Sequence, residues 1–164
     1  RSTEQTWGVY HSSLGATKYI ALNTSATAGT DTAFWNDTEP TTSVITIGTE
    51  GRVNQNTGTY IAYAWADVDG YQKFGSYVGN ASTNGPFIYL GFRPKLLVIK
   101  GISATNNWMA FDTTRETFNP IDQNLHWDTS DAIETSTDRQ LDILANGFKL
   151  RSENGALNLS LIHI

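Results

Sequence analysis

The acid–base and metal chemistry open to this chain rests on three histidines and sixteen carboxylates, with no cysteine. His11, with Asp31 or Asp37 and one of the many serines, has the residue types of a hydrolytic triad, in which imidazole takes a proton from a hydroxyl and a carboxylate orients the imidazole. His126 stands in "NLHWDTS". No H-x-x-x-H spacing joins the histidines and no thiolate is present, so the sequence carries no zinc pattern. "DVDG" at 67–70 resembles the end of a calcium loop, but Trp65 falls where the first acidic ligand belongs. A turn closing a strand accounts for it. Asp128 and Asp131 could serve glycoside hydrolysis only if they faced each other across a cleft about 5–10 Å wide. In a run rich in Asp, Thr and Asn they read as solvated turn residues. The Asn-x-Ser/Thr matches at Asn23, Asn36 and Asn80 follow from composition alone. The reading is of a protein with no catalytic residue, metal or cofactor.

Aromatic side chains are the better candidates for contact. Tyr71, Phe74 and Tyr77 in "GYQKFGSYVGN", and Trp35 in "FWNDTEP", are the residues a sugar-binding surface uses: flat apolar platforms with hydrogen-bonding edges. Packing in a linking strand is the competing explanation for the first three. Trp35 sits beside a polar loop, which makes it the leading ligand platform.

Such residues need a scaffold, and the composition points to strands. Five Trp, seven Tyr and seven Phe accompany abundant Thr, Asn, Ser and Gly. Apolar residues recur with period two more often than 3.6. "TYIAYAWADV" (59–68) puts Ile61, Tyr63 and Trp65 on one face and Ala62, Ala64 and Ala66 on the other, the pattern of a central strand covered on both sides. "PFIYLGF" and "KLLVIKGIS" are two strands broken at Arg93 and Pro94, and "LDILANGFKLRS" is a hairpin signalled by Asn146 and Gly147. "TWGVYHS", "KYIALNT", "SVITIGT", "NWMAFDTT" and "NLHWDTS" complete the set, with helix confined to short turns. The expected fold is an all-β antiparallel β-sandwich, jelly-roll-like. A net charge of −5 supplies no basic surface for nucleic acid, and no apolar run has the length of a membrane helix.

An internal repeat organises these strands. "TWGVYHSS" matches "NWMAFDTT" 101 positions on, "YIALNTSA" matches "NLHWDTSD" at 105, and "GRVN" matches "GALN" at 104. The order is preserved. The expected organisation is two partial copies of a unit of about 100 residues: 1–70 as the closing part of copy one, and 71–158 as copy two without its last strand. Residues 159–164, LSLIHI, resemble a translated transposase mosaic end and are expected to be an adapter-derived tail; Arg1 is likewise read as a cut edge. His163 and the sequon at Asn158 are excluded on that ground.

The stretches "WGVYHSSLGATKYIALNTSATA", "FWNDTEPTTSVITIGT", "TYIAYAWADVDGYQKFGSYVGN", "GPFIYLGFRPKLLVIK" and "LDILANGFKLRS" together resemble a tandemly repeated domain of unknown function in structural proteins of tailed bacteriophages, often marine ones. The resemblance runs from about Trp7 to Asn158. It implies a virion component of tail or tail-fibre type, extracellular in the phage tail, partnered by other virion proteins or copies of itself. Contact with bacterial surface glycans is a further expectation. A carbohydrate-binding module of a secreted enzyme is the alternative, and a polysaccharide depolymerase a more distant one.

Overall fold

A computed structural model describes residues 5–159 and, as backbone, 161–163; Arg1, Ser160, Ile164 and the side chains of the last strand lie outside the described residues. The protein is all-β, with antiparallel pairing in every sheet.

The larger half is a sandwich. One sheet runs in the order β4 (Ser76–Val78), β12 (Leu161–His163), β6 (Leu96–Gly101), β7 (Trp108–Asp112), β8 (Gln123–His126), β9 (Glu134–Thr135). The other has the order β10 (Leu141–Leu144), β11 (Gly147–Leu150), β5 (Phe87–Tyr89). Alternation sends Leu97, Ile99, Met109 and Phe111 inward from the first sheet, to meet Leu141, Ile143, Phe148 and Leu150 from the second. The β10–β11 hairpin turns on Ala145 and Asn146, with Gly147 already paired to Leu144. A single-turn helix, α2 (Gly155–Asn158), capped by the Asn154 side chain on the Ala156 N–H, closes one end with Leu157.

The smaller half is one three-stranded sheet: β1 (Gly8–Val9), β2 (Lys18–Ala21), β3 (Gly29–Thr30). Phe34, Trp35 and Ala16 form its core with Tyr10, Tyr19 and Val53. A second single-turn helix, α1 (Gly51–Asn54), is capped by Glu50 on the Arg52 N–H. The halves are joined by a third apolar cluster, in which Ile20, with Val9 and Leu22 beside it, meets Ile102, Trp108 and Val98. Trp108 donates its Nε1–H to the Ala21 carbonyl at 2.7 Å. β6 and β7 are therefore covered on both faces: by the sandwich core on one, and by the smaller half on the other. That explains why Lys100 is fully buried, its ammonium held by the Ser25 and Asn106 carbonyls.

The two halves share detail. The β1–β2 ladder pairs Gly8 with Ala21 and Val9 with Ile20; the β7–β8 ladder pairs Met109 with His126 and Ala110 with Leu125. The next ladders pair Lys18 with Thr30 and Tyr19 with Gly29, and Gln123 with Thr135 and Asn124 with Glu134. Trp7 N–H donates to Asn23 Oδ1 and Trp108 N–H to Asp128 Oδ1; the Asn54 amide donates to the Gly48 carbonyl and the Asn158 amide to that of Ser152.

Two expectations are corrected. Residues 59–66 form no strand, and Ile61 (78% exposed), Tyr63 and Trp65 (67% exposed) face solvent. Both faces of the segment are apolar, but among the described residues no neighbouring strand supplies ladder partners or cover. "SVITIGT" fails for the same reason, leaving Val44, Ile45 and Ile47 exposed. After α2 the backbone of β12 pairs with both β4 and β6.

Candidate functional site

The groups named from the sequence as possible chemistry make the following contacts. The Asp31 carboxylate caps the Ala33 N–H at 2.9 Å and faces Arg52 at 3.8 Å, while His11 Nδ1 accepts from the Ser13 N–H at 3.2 Å. Asp37 lies in the polar turn after Trp35 with a positive φ. Asp128 holds the Trp108 N–H, and Asp131 accepts from the Thr129 hydroxyl at 2.8 Å and approaches His126 at 3.9 Å. His126 is part-buried, within 3.0 Å of the Asn107 amide and 3.5 Å of Glu134. It borders a polar recess of about 200 Å³ that Ser25, Asn106 and Arg139 also line, at the junction of the two halves. No group of three metal-ligating side chains occurs among the described residues.

Asp67 shows what "DVDG" does. Its carboxylate accepts the Phe74 N–H at 2.8 Å and pairs with the Lys73 ammonium, and these two contacts hold it below the usual carboxylate range, Lys73 contributing most. Gly70 takes φ +72°, and Val68 and Gln72 exchange backbone hydrogen bonds. The segment is a closed turn, as turn chemistry leads one to expect.

The four aromatic candidates separate. Trp35 is only 7% exposed: its ring meets Tyr10 edge-on at 6.0 Å and Phe34 at 5.6 Å, and its Nε1–H is spent on the Lys18 carbonyl at 2.9 Å. It is a core residue of the smaller half and does not present the exposed platform expected of it. Adjacency to a polar loop misled, because Phe34 and Trp35 turn inward just before that loop begins. Tyr77, 8% exposed, packs edge-on against Phe148 and donates its hydroxyl to the Leu157 carbonyl at 2.7 Å; burial raises its pKa. Tyr71 (76% exposed) and Phe74 remain at the surface. The series is thus divided between core and turn.

The sequence reading missed the exposed pair beside that turn. Tyr63 and Trp65 lie with ring centroids 5.9 Å apart and planes 21° apart. With Ile61, Val68 and Tyr71 they make residues 61–71 an exposed aromatic stretch. The signal was present, since side chains two apart on an extended backbone share a face, but it was read as burial. Chemically the arrangement offers stacking surface, beside an Asp67 carboxylate already paired with Lys73. Within the described residues, no helix is long and apolar enough to cross a membrane.

A family model described as Domain of unknown function (DUF7483) matches residues 1–162. No curated protein and no solved structure matches the chain.

Proposed function

From the premise that the chain belongs to the DUF7483 family, we propose that it is a non-catalytic structural and adhesion module of a bacteriophage virion protein, of tail or tail-fibre type. In this reading it contains two partial copies of one repeated unit. The observation that carries it is the correspondence of hydrogen bonds between the halves. Ladder for ladder, each pair in β1–β2–β3 has a corresponding pair in β7–β8–β9 whose residues lie 101 to 105 positions further on, and α1 and α2 correspond at 104. Repeated β-units that bury a shared apolar face build length, which is the task of a fibre or tail component. The phage assignment rests on the motif series, and the partners it implies are virion proteins or further copies.

Tyr71 and Phe74, on the closed turn, are the surface aromatics we assign to glycan contact; Trp35 and Tyr77 are withdrawn from that role by burial. The test is to titrate the whole chain with bacterial surface polysaccharides while assaying reducing ends. Binding without release of reducing sugar, weakened by Tyr71→Ala, is the expected result. Release of reducing ends would overturn the non-catalytic reading. For the virion assignment, antibodies against the chain should label particle tails of the encoding phage, and labelling absent from the particle would overturn it.

A further inference from the structure

At the polar recess the two halves diverge. Backbone hydrogen bonds fix the correspondence there: Asp31 N–H to the Thr17 carbonyl and Phe34 N–H to that of Asp31 are matched by Ser136 to Asp122 and Arg139 to Ser136. Arg139 therefore stands where the smaller half has Phe34. By the ladders, His126 stands for Ala21, Met109 for Gly8 and Glu134 for Gly29, while Ala156 of α2 stands for Arg52 of α1. In the smaller half the place is filled. Phe34 is fully buried, so close over Gly8 that a Cβ there would stand 2.7 Å from its ring, and the Arg52 guanidinium lies 4.6 Å from the ring centroid. In the larger half neither that ring nor a cation from the helix has a counterpart, and a recess of about 200 Å³ has Met109 and Ala156 as its apolar lining.

Its polar lining is fixed by the scaffold. The Ser25 carbonyl takes the Asn106 N–H and the Lys100 ammonium, both at 3.0 Å. The Asn107 amide donates to His126 Nδ1 at 3.0 Å, so that Nε2 carries the ring proton of the neutral imidazole, 3.5 Å from Glu134. Arg139 gives Nη1 to Glu134 and keeps Nη2 without a partner among the described residues. The Ser25 and Thr105 hydroxyls and the Asn107 side-chain oxygen are unpaired among those residues too. Donors and acceptors thus line one small space. Asp128 offsets Lys100, and Glu134 and Asp131 stand against Arg139, so the surroundings are net negative and disfavour an anion. A hydroxyl donates and accepts at once, and can use Arg139, Asn107 and Ser25 together. The volume is below the roughly 300–1,000 Å³ of a drug-sized site, which gives room for one ring and not for a chain.

We propose that the recess between Ser25, Asn107, His126 and Arg139 binds one uncharged pyranose unit, its hydroxyls on the Arg139 guanidinium and the Asn107 side chain and an apolar ring face toward Met109. This deepens the glycan contact proposed above, and it rests on the repeat reading for why the space exists.

The probes are the methyl glycosides of glucose, galactose and N-acetylglucosamine, titrated into the full chain with NMR shift mapping. Saturable shifts are expected at Ser25, Thr105 to Asn107, His126 and Arg139 with at least one of them, at a Kd of about 1–10 mM for so few contacts. Arg139→Gln should weaken that binding about tenfold, by loss of a charged donor. Thr105→Trp, at an exposed position on the rim, should abolish it while the rest of the spectrum keeps its native dispersion. Methyl glucuronide should bind at least about threefold more weakly than methyl glucoside. No shift at the recess with any of the three sugars, binding unchanged in Arg139→Gln or Thr105→Trp, or tighter binding of the glucuronide would each overturn the proposal. Shifts confined to Tyr71 and Phe74 would sink the recess and leave the glycan reading standing, whereas shifts at neither place sink both. A crystal structure tests the other support: if residues 5–56 fail to superpose on 107–158, the repeat falls, and with it the reason given for the recess.

Discussion

Asn158 and Asn54 stand at matching ends of the two short helices, yet the structure gives them unequal work, and the inequality can be measured. Asn158 is buried and makes four side-chain hydrogen bonds: to the Ser152 carbonyl at 2.6 Å, the Ser82 carbonyl at 2.8 Å, Asn80 Oδ1 at 3.1 Å and the Asn80 N–H at 2.9 Å. Asn54 is exposed and makes one, to the Gly48 carbonyl at 2.7 Å. The amide has two N–H groups for its three acceptors, so the side chain makes about three full bonds, and at about 1 kcal/mol each these put Asn158→Ala at about 3 kcal/mol. Asn54→Ala should cost about 1 kcal/mol or less. Urea unfolding followed by tryptophan emission is the assay. With a slope of about 2 kcal/mol/M, the midpoint should fall by about 1.5 M for Asn158→Ala and about 0.5 M for Asn54→Ala. Asn158→Asp should be at least as harmful as Ala, because it turns a carboxylate toward the two carbonyls the amide now serves. Equal midpoints for the two alanine variants would refute the view that the loop of residues 79–82 is held from α2.

Trp108→Phe removes the 2.7 Å bond to the Ala21 carbonyl and keeps most of the apolar contact, so it should cost about 1–2 kcal/mol, while Trp7→Phe at the exposed matching position should be neutral; thermal melts of both variants decide this. Lys100 is shifted down to about 8 by burial, a shift that Asp128 partly opposes. Between pH 8 and about 10.5 the unfolded chain therefore holds a proton the folded one has released, so stability should rise through that window by at most about 3 kcal/mol. Near pH 10 the trend should turn over. Tyr10, raised to about 12 by burial and its hydrogen bond to Glu39, and Tyr77, raised by burial, keep their protons in the fold while the unfolded tyrosines ionise. Unfolding midpoints from pH 7 to 11 should trace this maximum, and Lys100→Met should flatten its rising limb.

The strands of the sandwich were legible because each carries its own alternation and finds its partners within this chain. "KLLVIKGIS" and "NWMAFDTT" became β6 and β7, broken where Pro94 and the Thr105–Asn107 loop residues forbid pairing. The same reasoning failed at residues 59–66, whose pattern is as strong. Alternation reports which faces a strand would bury and says nothing of whether a neighbour is there to bury them. Trp35 failed for a different reason: a turn hides the direction of the side chain before it, and only the packing of Phe34, Tyr10 and Ala16 reveals that the indole points inward. For Tyr71, Phe74 and Tyr77 the sequence left packing in a linking strand against a surface role; Tyr77 is packed, while Tyr71 and Phe74 lie at the surface by the turn that Asp67 and Gly70 close.

The bond from the Tyr77 hydroxyl to the Leu157 carbonyl closes a span of 80 residues, and β4 meets β12 across a similar distance. By contrast β6 with β7, and β10 with β11, pair across short connections. During synthesis at about 5–20 residues per second, β4 therefore emerges roughly 4–16 s before the strand and helix that will cover it. The hairpins can form in microseconds, so the last event of folding is the return of the chain's early edge to its late one. For that interval Tyr77 is an apolar side chain without a home, and Val78 and Ser76 are open ladder positions. The nascent sandwich is most exposed to wrong pairing at the edge strand whose one inward side chain, Tyr77, is the last to be covered.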